Sequence, residues 1–147
     1  MKIVAINGSP RKNGNTALLL DAVRQEVEAA GVEFQVFQPG ANVHPCMACY
    51  NCLDTGSLRC VRNDDGVNDI IAACIEADGI LLASPVYHSG MSGSMKCVVD
   101  RLMLSAGCGV NQLTTRWAAP CAPCGAPAAV RRTTSSWPPW TAWRWCW

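Results

Sequence analysis

Hydrophobic residues in the first hundred positions form short apolar runs of the kind found in buried strands. Residues 2–7 are such a run and end at Gly8, which predicts a strand buried on both faces. Residues 33–38 alternate with the two-residue period of a strand and stop before Pro39. Residues 80–84 form another apolar run. These segments predict three strands.

Stripes at helical spacing separate the strands. One covers residues 16–30, where Asn15 or Thr16 can cap the start and Gly31 ends the helix. A second follows Asp64 or Asp65, which can cap it, and a third runs to about Ala106. The stripes consist of Leu19, Leu20, Val23 and Val27; of Val67, Ile70, Ile71, Cys74 and Ile75; and of Met95, Val98, Val99, Leu102 and Met103.

The order of these elements predicts an α/β fold. Alternating strands and helices indicate a doubly wound parallel sheet covered by helices on both faces, a three-layer α/β/α arrangement of the flavodoxin-like type. In that strand order the first and third strands are neighbours, and a crevice opens beyond their carboxyl ends. The loops at residues 8–16 and 85–93 both leave the predicted sheet there.

Length and charge narrow the function classes. A chain of 147 residues has room for one domain. The formal net charge is +1, which gives no electrostatic reason to expect nucleic acid or an anionic membrane as a partner. No apolar run reaches the length of a membrane span, and the first residues do not resemble a signal peptide. We therefore expect a cytoplasmic protein with a small-molecule partner.

The loop from Gly8 to Thr16 joins a predicted strand to a helix amino terminus. Free amides and the positive end of the helix dipole favour a phosphate at such a position. Ser9, Asn15 and Thr16 add polar donors, and Arg11 can offer a charge-assisted fork. The loop lacks the Walker and GxGxxG patterns, which disfavours nucleoside triphosphate chemistry. The alternative is an ordinary polar turn before a capped helix.

Four of the ten cysteines are clustered in the loop 45–60. Without an export signal, such a cluster indicates metal, iron–sulfur or thiol chemistry rather than disulfides. The spacing is CxxCxxCx7C, in which three close thiolates and a fourth can hold a [4Fe–4S] cluster. Zinc sites more often use two separated pairs, and reduced thiols without metal are a further alternative. The candidate ligands are Cys46, Cys49, Cys52 and Cys60.

Two segments, INGSPRKNGNT and ASPVYHSGMSGSMKCVVDR, resemble the NADPH-dependent FMN reductase and iron–sulfur flavoprotein family. The likeness covers about residues 1–101. It implies that the first loop holds the FMN phosphate and ribityl chain, and that the second loop lines the flavin ring. By position, the first set is Ser9, Arg11, Asn13, Asn15 and Thr16, and the second is Pro85, Val86, Tyr87, His88, Ser89 and Gly90.

The resemblance implies an FMN-dependent oxidoreductase that passes electrons between a reduced donor, FMN and a [4Fe–4S] cluster. The donor is NAD(P)H or a ferredoxin, and a homodimer or homotetramer is expected. No catalytic side chain is implied, because the flavin and the cluster carry the redox chemistry. The alternatives are a cluster-free NAD(P)H-dependent FMN or quinone reductase, a flavodoxin-like electron carrier and a zinc-binding structural module.

Residues 107–147 differ from the predicted domain at residues 1–106. No acidic residue follows Asp100, all six tryptophans lie beyond it, and no strand or helix period is visible. We therefore expect the later strands of the fold to be missing. If the tail is read in a frame that starts at the third base of each codon, every codon for Trp or Cys is replaced by one for Val, Leu or Met. This suggests that the reading frame changes between Leu104 and Trp117. The pair Cys121 and Cys124 would then be an artefact. The alternative is a natural Pro-rich disordered tail.

Overall fold

In a computed structural model, the described residues are 1–107, Leu113 and, for the backbone, Trp117–Cys121. No helix in these ranges is both long and apolar enough to cross a membrane. The strands are β1 Lys2–Asn7, β2 Glu33–Phe37, β3 Gly79–Ala83, β4 Val86–Tyr87, β5 Gly90–Met91 and β6 Trp117–Cys121. The helices are α1 Asn15–Ala29, α2 Asn51–Thr55, α3 Val67–Glu76 and α4 Gly93–Leu102, followed by a π-helical turn at Met103–Gly107.

The main sheet has the order β2-β1-β3-β6, and its described pairings are all parallel. The crossovers from β1 through α1 to β2 and from β2 through α3 to β3 place β1 beside both later strands. The three strands predicted from the sequence are thus confirmed, and so is the doubly wound arrangement. The carboxyl ends of β1 and β3 lie side by side at one edge of the sheet, where the strand order predicts a crevice.

Side chains alternate across β1 and contribute to two apolar layers. Val4 and Ile6 pack on one face with residues of α3 and α4, such as Ile71 and Val98. On the other face, Ala5 packs with Leu20 of α1 and with Phe34 and Ala83. Both faces of the sheet are therefore covered by helices, which makes the domain a three-layer α/β/α sandwich.

One expectation about the tail is wrong. The composition of the tail leads to the expectation that the later strands are missing, but Trp117–Cys121 lies parallel beside β3. Its Pro120, opposite Leu82, lacks the amide hydrogen of a normal ladder residue, which explains why no strand is predicted from these residues. Leu113 is buried. The rest of the tail, including Cys124 and the tryptophans after Trp117, lies outside the described residues.

The helix boundaries also differ from expectation. The N-cap of α1 is Gly14 rather than Asn15 or Thr16, and no side chain caps this helix. Gly66 is the N-cap of α3, with Asp65 accepting a 3.3 Å hydrogen bond from the amide of Val67. The third predicted helix is α4, which ends at Leu102 instead of about Ala106 and continues as the π-helical turn. The short helix α2 and the β4–β5 hairpin carry too few residues to show a period in the sequence.

Candidate functional site

The first loop and the loop after β3 are joined by backbone at the carboxyl edge of the sheet. The amide of Gly8 donates a 2.7 Å hydrogen bond to the carbonyl of Ala83. The hydroxyl of Ser92 donates a 2.6 Å hydrogen bond to the carbonyl of Gly8. Gly8 is therefore held from both sides by the segment that precedes and the segment that follows residues 84–91.

Ser92 is also the N-cap of α4, because its hydroxyl oxygen accepts a 3.2 Å hydrogen bond from the amide of Met95. Its own amide donates to the hydroxyl of Ser84 at 2.9 Å. A Cβ added at Gly8 would lie 2.7 Å from Cβ of Met95, so only glycine fits here without a shift of α4. Sequence reasoning did not single out Ser92; the GMSGS stretch before an apolar stripe was the available signal.

The first loop is held by hydrogen bonds around Ser9. The Ser9 amide donates to Oδ1 of Asn7 at 3.0 Å, and the Arg11 amide donates to Oγ of Ser9 at 3.2 Å. Nε2 of Gln38 donates to the Ser9 carbonyl at 2.8 Å. The Ser9 hydroxyl therefore orders the loop itself.

The other predicted phosphate residues surround the amino terminus of α1. Thr16 is buried in its first turn, whereas Arg11, Asn13 and Asn15 are exposed. Because no side chain caps α1, an anion at this end meets no competing side-chain acceptor. The arrangement suits a phosphate group.

The predicted flavin-lining segment 85–90 forms a β-hairpin. Val86 pairs with Met91 and Tyr87 with Gly90, and His88 and Ser89 make the turn. Both turn residues have positive φ, 45° and 65°, which is the pattern of a two-residue type I′ turn. Tyr87 is 50% exposed. The hairpin thus presents an aromatic side chain next to the edge where the loops are joined.

The four predicted ligands line one small cavity. Its walls include Cys46, Cys49, Cys52 and Cys60, together with Met47, Val61, Arg62, Arg101 and Leu104. The free volume is about 10 Å³, roughly the space of one water molecule. Among the residues that the structure describes, no three His, Cys, Asp or Glu side chains are grouped as ligands of a metal ion.

The backbone of the cysteine loop bends sharply on each side of Cys49. Ala48 and Tyr50 have φ values of 52° and 57°, a region that side chains with a Cβ rarely adopt. Tyr50 is the N-cap of α2, and Cys52 is buried in the first turn of that helix. These bends bring cysteines three residues apart to the same cavity.

The thiols influence one another. Burial raises the pKa of Cys52, and the nearby Cys60 and Cys49 raise it further, while backbone hydrogen bonds oppose the change. Cys52 therefore favours its neutral thiol in the free protein, and a bound cation or cluster would be needed to hold several thiolates together.

Arg101 of α4 lies behind this cavity and is 1% exposed. Its Nη1 donates to the His44 carbonyl at 3.3 Å and forms a buried ion pair with Asp65, and Nη2 donates to the Arg62 carbonyl at 2.9 Å. Burial lowers the pKa of Arg101, but hydrogen bonds with Asp65 and Cys60 outweigh it and raise the pKa overall. Arg101 thus stays charged.

Asp65 and Asn68 complete this polar group. Burial raises the pKa of Asp65, but the hydrogen bond from Arg101 and those from the backbone of His44 and Val67 lower it overall. Asn68 accepts from the Cys60 amide at 2.8 Å and donates to the Cys60 carbonyl at 2.9 Å. Sequence reasoning named Asp65 only as a candidate helix cap. It missed Arg101 and Asn68, because a buried polar residue within an apolar helix has no spacing of its own.

The two candidate sites lie at opposite ends of α4. Ser92, next to the joined loops, caps its amino terminus, and Arg101, next to the cysteines, is near its carboxyl terminus. Ten residues of α-helix are about 15 Å long. The phosphate loop and the cysteine loop of one chain are therefore separated by roughly this helix.

The chain is similar in sequence to curated iron–sulfur flavoproteins. An iron–sulfur flavoprotein of Methanocaldococcus jannaschii is 38% identical over 102 residues, which are 69% of this chain and 51% of that protein. An iron–sulfur flavoprotein of Methanosarcina thermophila is 37% identical over 105 residues, 71% of this chain and 53% of that protein. The chain thus spans about half the length of the curated relatives it matches.

The solved structure of an NAD(P)H:quinone oxidoreductase from Methanothermobacter marburgensis superposes with a TM-score of 0.62 at 15% identity. The match covers 83% of this chain and 64% of that one, and it confirms the flavodoxin-like fold. The family model described as NADPH-dependent FMN reductase matches residues 1–144. On these grounds, the chain belongs to the NADPH-dependent FMN reductase family.

Proposed function

We propose that the protein is an FMN-dependent oxidoreductase whose flavin binds where the first loop and the β4–β5 hairpin meet. The observation that carries the proposal is the position of Gly8, which is hydrogen-bonded to both Ala83 and Ser92. A flavin nucleotide has an anionic end and a flat aromatic end, so it needs two loops at one edge of the sheet. The family match supports the same cofactor.

The first loop binds the FMN phosphate. The uncapped amino terminus of α1 supplies amides and a favourable dipole, and the exposed Arg11 adds a positive charge. Ser9 and Thr16 order the buried side of the loop, while Asn13 and Asn15 offer amide groups from the exposed side. Each is a proposed contact of the phosphate or ribityl chain.

The hairpin lines the flavin ring. Tyr87 supplies an aromatic surface, and the backbone from Pro85 to Gly90 offers amides to the polar edge of the ring. When bound, FMN would supply redox chemistry, because it can accept two electrons together and pass them on one at a time. The protein's own contribution is to bind and orient the cofactor.

Substitution of two neighbouring basic residues of the first loop tests the flavin site. Arg11 and Lys12 are both exposed, but only Arg11 is a proposed phosphate contact. Arg11→Gln is expected to raise the Kd for FMN about tenfold, the effect of one charge-assisted hydrogen bond, whereas Lys12→Gln changes it by less than about threefold. Fluorescence titration of the apoprotein with FMN measures both. Equal effects of the two variants would contradict the assignment of Arg11.

We propose that Cys46, Cys49, Cys52 and Cys60 hold a [4Fe–4S] cluster, which would supply one-electron transfer. Four thiols in one cavity are the appropriate donor set, and the names of the curated relatives support it. The Nε atoms of Arg62 and Arg101, both lining the cavity, are buried without a hydrogen-bond partner among the described residues, as expected beside an anionic group. The cavity of about 10 Å³ is too small for a cubane, so the exposed part of the loop must move outwards.

The cluster is tested by comparing two cysteines. After anaerobic reconstitution with iron and sulfide, Cys49→Ser is expected to lose most of the iron and the broad visible absorption. Cys97→Ser is the matched control, because Cys97 lies on α4 and does not line the cavity. Iron retained by Cys49→Ser, or zinc in place of iron in the purified wild type, would contradict the cluster.

The small cavity also favours a second candidate, a cluster-free NAD(P)H-dependent FMN or quinone reductase. In the leading proposal, NAD(P)H or a ferredoxin donates electrons, and a homodimer or homotetramer brings the cluster of one subunit near the flavin of another. The separation of the two sites along α4 supports this arrangement. Stopped-flow reduction with NADPH distinguishes the candidates. The cluster-free reductase keeps its rate of flavin reduction and of quinone turnover in Cys49→Ser, whereas the cluster enzyme loses electron transfer beyond the flavin.

A further inference from the structure

We propose that Arg101 is a positioning residue which holds both ends of the cysteine loop and, through its buried charge, raises the reduction potential of the group that the four cysteines bind. The inference rests on the proposed cluster. It assigns a specific role to a residue of α4 that lies 41 positions beyond the last proposed ligand, Cys60.

The guanidinium of Arg101 contacts the backbone on both sides of the cysteine loop. One nitrogen, Nη1, donates to the carbonyl of His44, two residues before Cys46, and the other, Nη2, donates to the carbonyl of Arg62, two residues after Cys60. A single side chain therefore closes the base of the loop 45–60. The middle of the loop lies at the surface, with Met47 56% and Tyr50 54% exposed.

Asn68 supports the same end of the loop. It forms two hydrogen bonds with the backbone of Cys60 and a third, at 2.9 Å, with the carbonyl of Arg62. Arg101 and Asn68 thus share the Arg62 carbonyl as an acceptor. Cys60 is held by α3 and α4 together, whereas Cys46 and Cys49 lie on the outer part of the loop.

The two charges of the Arg101–Asp65 ion pair lie beside different cavities. Arg101 lines the cysteine cavity, whereas its partner Asp65 lines a different cavity, beside Phe37 and Gln38. The positive member of the pair is therefore nearer to the cysteines. The side chains of Arg101 and Asp65 are 0% and 2% exposed, so that water screens this field little.

The consequence is electrostatic. When a reductant such as dithionite gives one electron to the cluster, the net charge of the cluster becomes more negative by one unit. A buried positive charge beside it stabilises the reduced form more than the oxidised form. Arg101 therefore shifts the equilibrium towards reduction, and Asp65, further away, opposes it in part.

The test is an anaerobic redox titration of the reconstituted holoprotein with dithionite and ferricyanide, followed by electron paramagnetic resonance of the reduced cluster. The variants are Asp65→Asn, the charge-keeping Arg101→Lys, the double variant Arg101→Gln/Asp65→Asn, which leaves no buried charge unpaired, and Arg59→Gln. Arg59 is the control because it is exposed and directly precedes Cys60. Circular dichroism and iron content establish that each variant is folded and loaded.

We expect the ratio of reduced to oxidised cluster at a fixed potential to rise in Asp65→Asn and to fall about tenfold in the double variant, a change of about 59 mV for one electron. Arg101→Lys should stay within about threefold of the wild type, and Arg59→Gln within about twofold, because its charge is exposed. A double variant that is loaded but shifts no more than Arg59→Gln would overturn the role of Arg101 and leave the proposed function standing. A wild type that takes up no cluster would overturn both.

Discussion

The hydroxyl of Ser92 donates a 2.6 Å hydrogen bond to the carbonyl of Gly8, across 84 positions of sequence. The same hydroxyl oxygen caps α4 by accepting from the amide of Met95. The start of α4 and the beginning of the proposed phosphate loop are thus held by one buried side chain, 3% exposed.

Ser92→Ala should therefore weaken folding and flavin binding together. Loss of an N-cap costs about 1–2 kcal/mol in the free energy of unfolding, and the Gly8 carbonyl loses its buried donor. Urea unfolding measures the first effect, and FMN titration should show a higher Kd. Ser57→Ala, on an exposed hydroxyl of the cysteine loop, is the control and should change both quantities little.

Gly8, which accepts the hydrogen bond of Ser92, and Gly93, which follows Ser92, should respond in opposite ways to substitution by alanine. At Gly8 the new methyl group would lie 2.7 Å from Cβ of Met95, so Gly8→Ala should destabilise the fold by about 1–3 kcal/mol. At Gly93, in the first turn of α4, an added Cβ meets no atom of the described residues within 4 Å, apart from its chain neighbours and its own helix backbone. Gly93→Ala should therefore be neutral or stabilising by up to about 1 kcal/mol. Thermal unfolding of the two variants decides; a stable Gly8→Ala protein would show that α4 is not tightly packed on the loop.

The hairpin turn can be relaxed without changing its backbone. His88 and Ser89 both have positive φ, which Asn and Gly adopt at lower cost. The double variant His88→Asn/Ser89→Gly should raise the free energy of unfolding by about 1 kcal/mol. If these side chains touch the flavin as proposed, the Kd for FMN should rise despite the greater stability. An unchanged Kd would limit the flavin contact to the hairpin backbone and Tyr87.

The Arg101–Asp65 pair predicts how stability depends on pH. Because the pKa of Asp65 is lower in the folded chain, its contribution is fully present above the unfolded value of 3.8 and is lost as pH falls through the folded value. Unfolding in urea between about pH 5 and pH 2 measures this loss.

Asp65→Asn should have a lower free energy of unfolding at neutral pH, because the Arg101 charge loses its partner. Its free energy of unfolding should also fall less steeply than that of the wild type as the pH decreases. The exposed Asp69, on the same helix end, provides the control Asp69→Asn, which should keep the wild-type decline. Identical pH profiles for Asp65→Asn and the wild type would contradict the role of the pair.

The sheet could be predicted from the sequence because its strands are apolar runs bounded by Gly or Pro and its helices carry regular stripes. Gly8 and residues 85–90 were placed at the correct edge by strand order alone. The polar contacts of Arg101 and Asn68 could not be found this way, because both side chains donate to carbonyls 6 to 57 positions away. Asp65 was recognisable only as a helix cap. The hairpin was missed because its strands have only two residues each.

In the tail, the structure contains a strand that the sequence did not predict. Trp117–Cys121 takes the place of a fourth parallel strand although its composition does not suggest a strand. We propose that the reading frame changes between Leu104 and Trp117, and that the restored frame encodes a strand of ordinary apolar composition beside β3. Sequencing the gene across these codons tests this, and expression in the restored frame should raise thermal stability. An unbroken frame in the gene would contradict it.

The most direct test of the central claim is the visible spectrum of anaerobically purified protein, combined with assays of FMN, iron and sulfide. We predict flavin bands with one FMN per chain, over a broad iron–sulfur absorption with about four irons and four sulfides. A colourless protein that takes up neither FMN nor iron would contradict the account.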